Sequence, residues 1–383
     1  MATPLSNDDG TAAPITTHPS RRAGSRQFYR PELDALRFFA FFGVFVYHAL
    51  PTVIAIYVKH HVPYAAARFI VSIAAAGTFG VPLFFLLSAY LITTLLLREK
   101  AKTGDVHLRS FYIRRILRIW PLYFLMLAIA TFWPIKADRL PLVFLPGYLL
   151  LAGNWVLMHA GAVTTFEAPL WSVSIEEQFY LFWPIFAKKL GKRALIGTAL
   201  GFVVLANVVR IGLALVHRDQ GMWNNTFAHL DSIAYGILCA LLLPGTFKPP
   251  RSMRAGLLGV GLFMWAACGY FLDAGAWFTI FGYPALSAGA LAIFLSVLGV
   301  QVHGRALPYL GKISYGLYVY HMFALYLIGL IFYPGATSIP MFALFFLASF
   351  ALTVLLGAVS YRWLETPLLR LKERFTYVHS RPI

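Results

Sequence analysis

The chain has 383 residues, of which 59% are hydrophobic and 12% charged, and its mean hydropathy is +0.70. Soluble domains average about 45–50% apolar and about 25% charged residues, so this composition excludes disordered, fibrous and ordinary soluble classes. The net charge is +17 at pH 7, which is also typical of nucleic-acid-binding proteins. Such a protein needs a soluble basic face, however, and so apolar a chain does not supply one. We therefore expect a polytopic protein of the lipid bilayer that binds no nucleic acid and has its cationic loops on one side.

The first 30 residues are polar and rich in Ser, Thr, Pro and Ala, with four arginines toward their end. We expect a disordered cytoplasmic tail here and no signal peptide, because an early apolar run is missing. Cys239 and Cys268 are the only two cysteines, and both lie in apolar runs. They form neither a disulfide framework nor a Cys-rich metal site.

Ten apolar runs are long enough, at roughly 20 residues, to cross a membrane as helices. In chain order they are 36–57, 77–97, 113–133, 171–187, 194–216, 227–245, 255–272, 279–299, 312–333 and 339–361. An eleventh run, 141–158, contains two prolines and two glycines. Counting it as a span would reverse the orientation of every helix that follows.

The loop charges distinguish the two topologies. If 141–158 does not cross and the N-terminus is cytoplasmic, 26 of the 32 Lys and Arg residues lie on the cytoplasmic side and five outside, with Arg210 inside a span. Cytoplasmic loops carry the excess of positive charge. We therefore predict an all-α fold of ten transmembrane helices with both termini cytoplasmic, in which 141–158 is re-entrant or interfacial. The domains are then a tail at 1–30, a transmembrane domain at 31–365 and a basic cytoplasmic tail at 366–383.

The first span carries Arg37 near its cytoplasmic end and His48 eleven residues later. This spacing places both side chains on one helix face, about 16 Å apart along the axis, so we expect His48 near mid-membrane. Ionisable groups at that depth are candidates for a functional site, and a neutral imidazole is a suitable general base. The alternative is a histidine that only packs and hydrogen-bonds to a neighbouring helix.

The run 111–121 places Arg115 and Arg118 at positions i and i+3, hence on one helix face. Guanidinium groups bind phosphates through paired hydrogen bonds. With Arg37, this pair can hold a phosphate-bearing donor that enters from the cytoplasm. The alternative, which the spacing alone favours, is a positive anchor at the membrane interface.

Other polar residues also lie within the predicted spans. Glu176 and Glu177 point about 100° apart, so at most one of them can face a given cavity squarely. Such a carboxylate can orient His48, bind a sugar hydroxyl or form an ion pair at the interface. Asp231 lies just inside the outer end of its span and is equally ambiguous. His321, about three turns after Gly311, competes with His48 for a catalytic role.

Taken in order, these runs resemble the motifs of the membrane-bound acyltransferase-3 family. Residues 30–49 resemble its opening helix, whose Arg-x10-His motif is met by Arg37 and His48. Its later motifs are similar, in order, to the segments 80–93, 111–123, 170–184, 311–322 and 360–371. The resemblance covers about residues 30–372 and implies about ten helices, in agreement with the loop charges.

The resemblance implies transfer of an acyl group, commonly acetyl, from cytoplasmic acyl-coenzyme A to a hydroxyl of a sugar or lipid-linked glycan. It implies His48 as the base or transient acyl carrier, and Arg37, Arg115 and Arg118 as contacts of coenzyme A or of the fold. Glu177 is carried over as a second catalytic residue. The candidates for substrate binding are Gln178, Asp231 and His321. We expect no metal and no permanently bound cofactor.

Two other classes of function remain open. Intramembrane His, Asp and Glu residues also relay protons in secondary transporters, although the two halves of the chain show no convincing inverted repeat. A non-catalytic membrane partner of a glycan pathway is the third reading. Surface polysaccharide, lipid-linked sugar, peptidoglycan and glycosylated small molecules all fit as acceptors. We expect a multi-pass protein of the bacterial inner (plasma) membrane, without an appended soluble domain, whose oligomeric state the sequence leaves open.

Overall fold

The fold is known from a computed structural model that describes residues 29–135, 139–160, 166–217, 221–272, 274–332 and 338–378. Within these ranges all regular secondary structure is helical, and none of the described residues forms a strand. The predicted N-terminal tail lies almost entirely outside the described residues, as does the end of the predicted C-terminal tail.

Sixteen α-helices follow one another along the described part of the chain. They are α1 Pro31–Ala49, α2 Ile54–Lys59, α3 Tyr64–Ala76, α4 Gly80–Thr103, α5 Leu108–Phe132, α6 Leu145–Leu149, α7 Gly153–Ala160, α8 Leu170–Lys189, α9 Lys192–Leu215, α10 Leu230–Leu242, α11 Arg251–Tyr270, α12 Tyr283–Val297, α13 Ala306–Lys312, α14 Ser314–Ile331, α15 Ile339–Ser360 and α16 Thr366–Glu373. Short 3₁₀ or π turns precede α4, α10 and α12 and join α15 to α16. The segment predicted as a C-terminal tail therefore begins as a helix, which packs against α5.

Seven helical segments of the described chain are long and apolar enough to cross a membrane. They are Tyr64–Thr103, Leu108–Phe132, Lys192–Leu215, Arg251–Tyr270, Phe278–Val297, Ser314–Ile331 and Ile339–Glu373. Of the other predicted spans, α1 and α8 have 19 and 20 residues but carry several ionisable side chains, and Thr226–Leu242 is shorter. The all-helical polytopic fold is thus confirmed. The count of ten and the cytoplasmic termini stay predictions.

The segment 141–158 does not cross the bundle as a helix. It forms α6 and α7, of five and eight residues, and at 1.5 Å per residue neither reaches half of a hydrocarbon core about 30 Å thick. Three side chains fix it against α8: the amide of buried Asn154 donates to Thr226 and accepts from Gln178, both at 2.9 Å. Thr226 donates back to Gln178 at 2.7 Å, which closes a ring of hydrogen bonds.

Helix α1 packs closely against the continuous helical segment of α3 and α4. A Cβ atom at Gly77 would overlap the carbonyl group of Gly43, and one at Gly80 would overlap that of Ala40. Small residues let helix backbones approach closely inside a membrane. This close approach brings the polar face of α1 next to the side chains of α4, where the candidate site lies.

Candidate active site

Two cavities follow one another along α1 inside the bundle. The smaller, of about 80 Å³, is lined by Arg37, Arg115, Arg118 and Glu176 among others, and we call it the arginine cavity. The larger, of about 560 Å³, contains the side chain of His48, and we call it the histidine vestibule. Polar and ionisable groups that line internal spaces at membrane depth are the expected signature of a functional site.

His48 lies in the last turn of α1. The sequence had led us to expect it near mid-membrane, inside a longer span. The helix ends at Ala49, and Leu50, which is followed by three residues outside any helix, takes an extended backbone with φ −99° and ψ 146°. The residue that follows is Pro51, and the position before a proline disfavours helical geometry. The vestibule nevertheless reaches His48, whose side chain is exposed to it.

His48 and His321 contact each other. Nδ1 of His48 lies 2.9 Å from the carbonyl oxygen of Val44 and 3.3 Å from Nε2 of His321. Nδ1 of His321 lies 2.6 Å from the carbonyl oxygen of Tyr318. A carbonyl oxygen only accepts hydrogen bonds, so each neutral ring carries its proton on Nδ1. His321 Nε2 is then an acceptor for the Nδ1 proton of His48, and Nε2 of His48 keeps a free lone pair.

This tautomer assignment gives the two histidines different roles. The side chain of His321 is fully buried and that of His48 is exposed to the vestibule. A base whose second nitrogen is held by another group is the arrangement that proton-transfer catalysis requires. The sequence presented the two residues as competitors, whereas the structure makes them partners. Their contact joins α1 to α14, and periodicity within one helix carries no information about it.

The three arginines selected from the sequence meet in one cavity. Arg37 comes from α1, and Arg115 and Arg118 come from the same face of α5, as their spacing predicted. The neighbouring Arg114 is engaged elsewhere, since it donates to the Glu99 carboxylate at 2.8 Å. The arginine cavity therefore combines cations from two helices that are separate in sequence, which suits an anionic ligand.

Only one of the two adjacent carboxylates reaches the arginine cavity. Glu176 lines it and accepts a hydrogen bond from the Tyr180 hydroxyl at 3.0 Å. Glu177 instead accepts from the indole of Trp120 at 3.0 Å, and it is not among the lining residues described for either cavity. We expected at most one of the two carboxylates to face a given cavity, and the one that lines this cavity is Glu176, whereas the family resemblance implied Glu177. Their 100° separation on the helix explains the difference.

Two of the residues assigned to substrate binding make contacts within the fold. Gln178 belongs to the ring of hydrogen bonds with Asn154 and Thr226. Asp231 forms an ion pair with Arg210 at 2.7 Å, and both side chains are about 1% exposed. Buried charges in a membrane are costly unless they are paired. The signal for this pair was present in the sequence, because two consecutive spans each carried one charge of opposite sign.

Two small cavities, each of about 50 Å³, adjoin the arginine cavity and share Arg115 and Arg118 with it. One of them is also lined by Tyr29 and Arg30, which line an open groove of about 480 Å³ as well. That groove includes Arg98 and Lys248. A run of cavities thus leads from a basic groove, past the arginines, to the wall of the histidine vestibule.

Comparison with known proteins identifies the family of the chain. A family model described as "Acyltransferase domain", that of acyltransferase-3, matches residues 30–361. A Staphylococcus aureus (strain MSSA476) protein named "Putative O-acetyltransferase" is 28% identical over 371 residues, which cover 88% of this chain and 57% of that protein. The "O-acetyltransferase OatA" of S. aureus strain NCTC 8325 is 27% identical over 369 residues, covering 89% and 57%. The chain spans 57% of the length of these curated relatives, and no solved structure matches significantly.

Proposed function

Since this chain belongs to the acyltransferase-3 family, we propose that it is a membrane O-acyltransferase that moves an acetyl group from acetyl-coenzyme A to a hydroxyl of a sugar or glycan. The observation that carries the proposal is the exposed His48, backed by His321, beside a cavity lined by three arginines. The names of the S. aureus relatives support acetyl as the transferred group.

The donor occupies the run of cavities in this proposal. Its nucleotide lies in the basic groove that contains Arg98 and Lys248, and its phosphates lie toward the arginine cavity. The thin pantetheine arm then extends along α1 from Arg37 toward His48, an axial distance of about 16 Å. The excess of positive charge at this end of the bundle supports a cytoplasmic donor side, because cytoplasmic loops are the cationic ones.

The acceptor enters the histidine vestibule from the opposite side of a bacterial inner membrane. Nε2 of His48 takes the proton of the acceptor hydroxyl while the oxygen of that hydroxyl attacks the thioester carbonyl carbon. The carbon–sulfur bond then breaks, and the coenzyme A thiolate takes the proton back from the imidazolium. An ester and a free thiol result. His321 holds the ring of His48 through Nδ1 and disperses the positive charge that forms on it.

Acetyl-coenzyme A with a radiolabelled acetyl group separates this function from the alternatives. The donor is supplied to inside-out membrane vesicles that contain or lack the protein, and the glycans are then extracted. We expect label in a hydroxyl-linked glycan ester only where the protein is present. Protein-dependent accumulation of a solute without any coenzyme A would instead identify a transporter. Absence of both results would favour a non-catalytic partner.

A further inference from the structure

The two cavities share a wall. Among the described residues, Val81 of α4 and Tyr318 of α14 line both the arginine cavity and the histidine vestibule. Tyr318 precedes His321 by three residues, and His321 contacts His48. The wall therefore lies about 5 Å, roughly one helical turn, on the arginine side of the histidine pair.

The aromatic part of this wall is held by hydrogen bonds and ring packing. The Tyr318 hydroxyl lies 2.7 Å from Oγ of Ser172 and donates to the carbonyl oxygen of Pro169 at 3.3 Å. The ring of Phe84 meets the Tyr318 ring edge-on, with the centroids 5.8 Å apart. These contacts tie α14 to the beginning of α8 and to α4. The Val81 side chain is also buried, at 4% exposure.

We propose that Val81 and Tyr318 form the constriction that selects the acyl group. The inference rests on the proposed function, since a donor bound on the arginine side must pass its acyl end through this wall to reach His48. The acyl group is the leading end of the pantetheine arm and therefore meets the constriction first. The vestibule beyond the wall does not impose this limit, because it holds about 560 Å³. The constriction admits acetyl and excludes longer chains.

Truncation of the shared valine tests this inference. In vesicles that contain the full chain and envelope glycans, the rates of thiol release from acetyl- and butyryl-coenzyme A are compared. We expect Val81→Ala to raise the butyryl-to-acetyl ratio about tenfold or more, the scale at which pockets discriminate by methylene groups. Val81→Leu changes the ratio in the opposite direction. Val319→Ala is the matched control, because Val319 is also buried and neighbours Tyr318 but is not among the described residues that line either cavity.

Tyr318→Leu is the second variant, which keeps the test valid if the Val81 variants fail to fold. It removes the ring and its hydroxyl contacts, so it also raises the butyryl-to-acetyl ratio. The inference is overturned if folded variants at both positions consume acetyl-coenzyme A with a ratio within about twofold of the parent chain. A parent chain that releases no thiol from either donor would refute the proposed function itself, and the constriction with it.

Discussion

The proton on Nδ1 of His48 determines what this side chain can do. Because Val44 and His321 both lie at that nitrogen, the lone pair is left on Nε2. Replacing His321 with Leu removes the acceptor and frees the ring of His48 to rotate. We expect kcat to fall about tenfold or more with little change in the KM of the donor. His321→Gln, whose amide oxygen also accepts, should restore part of kcat. Equal losses in the two variants would contradict a positioning role.

The neighbouring carboxylates Glu176 and Glu177 provide a matched pair of variants. Glu176 lines the same cavity as Arg37 and Arg115, so its carboxylate offsets part of the repulsion between these guanidinium groups. We expect Glu176→Gln to lower kcat/KM for acetyl-coenzyme A about tenfold, and Glu177→Gln to change it much less. Steady-state rates of thiol release measure both variants. A larger loss at Glu177 would restore the assignment made from the sequence.

For single residues, the sequence predicted which side chains lie on the same face of one helix. It could not predict which side chains of different helices contact each other. The common face of Arg115 and Arg118 followed from their spacing alone. The pairing of His48 with His321 depends on how α1 packs against α14. The choice between two adjacent carboxylates depends on the rotation of α8, which a single sequence does not specify.

Among the elements, α7 depends most visibly on side-chain hydrogen bonds. Its eight residues are too few for a stable isolated helix, and Asn154 links it to Gln178 and Thr226. Asn154→Ala removes the hydrogen bonds of a buried amide to Gln178 and Thr226, so we expect a loss of about 1–3 kcal/mol in the free energy of unfolding. Thermal unfolding in detergent measures it.

Asn207→Ala is the control for that measurement. The Asn207 amide donates to the Val203 carbonyl within its own helix at 2.8 Å, so its removal leaves the packing between elements intact. We expect a change of less than about 0.5 kcal/mol there. Similar losses for the two variants would show that the ring of hydrogen bonds does not fix α7.

Every long apolar run of the sequence overlaps a helix of the described chain, because length and hydropathy are properties of one segment, although the run 36–57 is divided between α1 and α2. The loop charges exclude 141–158 as a span, and the structure divides this segment into the short helices α6 and α7. The end of α1 was harder to predict from the sequence. We placed His48 in the middle of a longer span, although Pro51 marks the boundary of the helix. The cavities between helices lay beyond any segment-by-segment analysis.

For the whole molecule, the ten-span topology predicts which loops face the cytoplasm. Gly191, between α8 and α9, is expected inside, and Ala276, before α12, outside; both are exposed. Cysteine at position 276 should react with a membrane-impermeant maleimide in intact cells, and cysteine at 191 only after permeabilisation. The native Cys239 and Cys268 are buried and provide a low background. The reverse labelling pattern would overturn the orientation and with it the cytoplasmic donor side.

The central claim is that His48 is the base of an acyl transfer from acetyl-coenzyme A. Transfer of labelled acetyl to envelope glycans by His48→Gln is compared with transfer by the parent chain and by His159→Gln. His159 is an exposed histidine on α7 and is not among the described residues that line either cavity. We predict that His48→Gln, folded and present at the parent level, loses at least about 100-fold in rate, while His159→Gln keeps the parent rate. Full activity in folded His48→Gln would contradict the account.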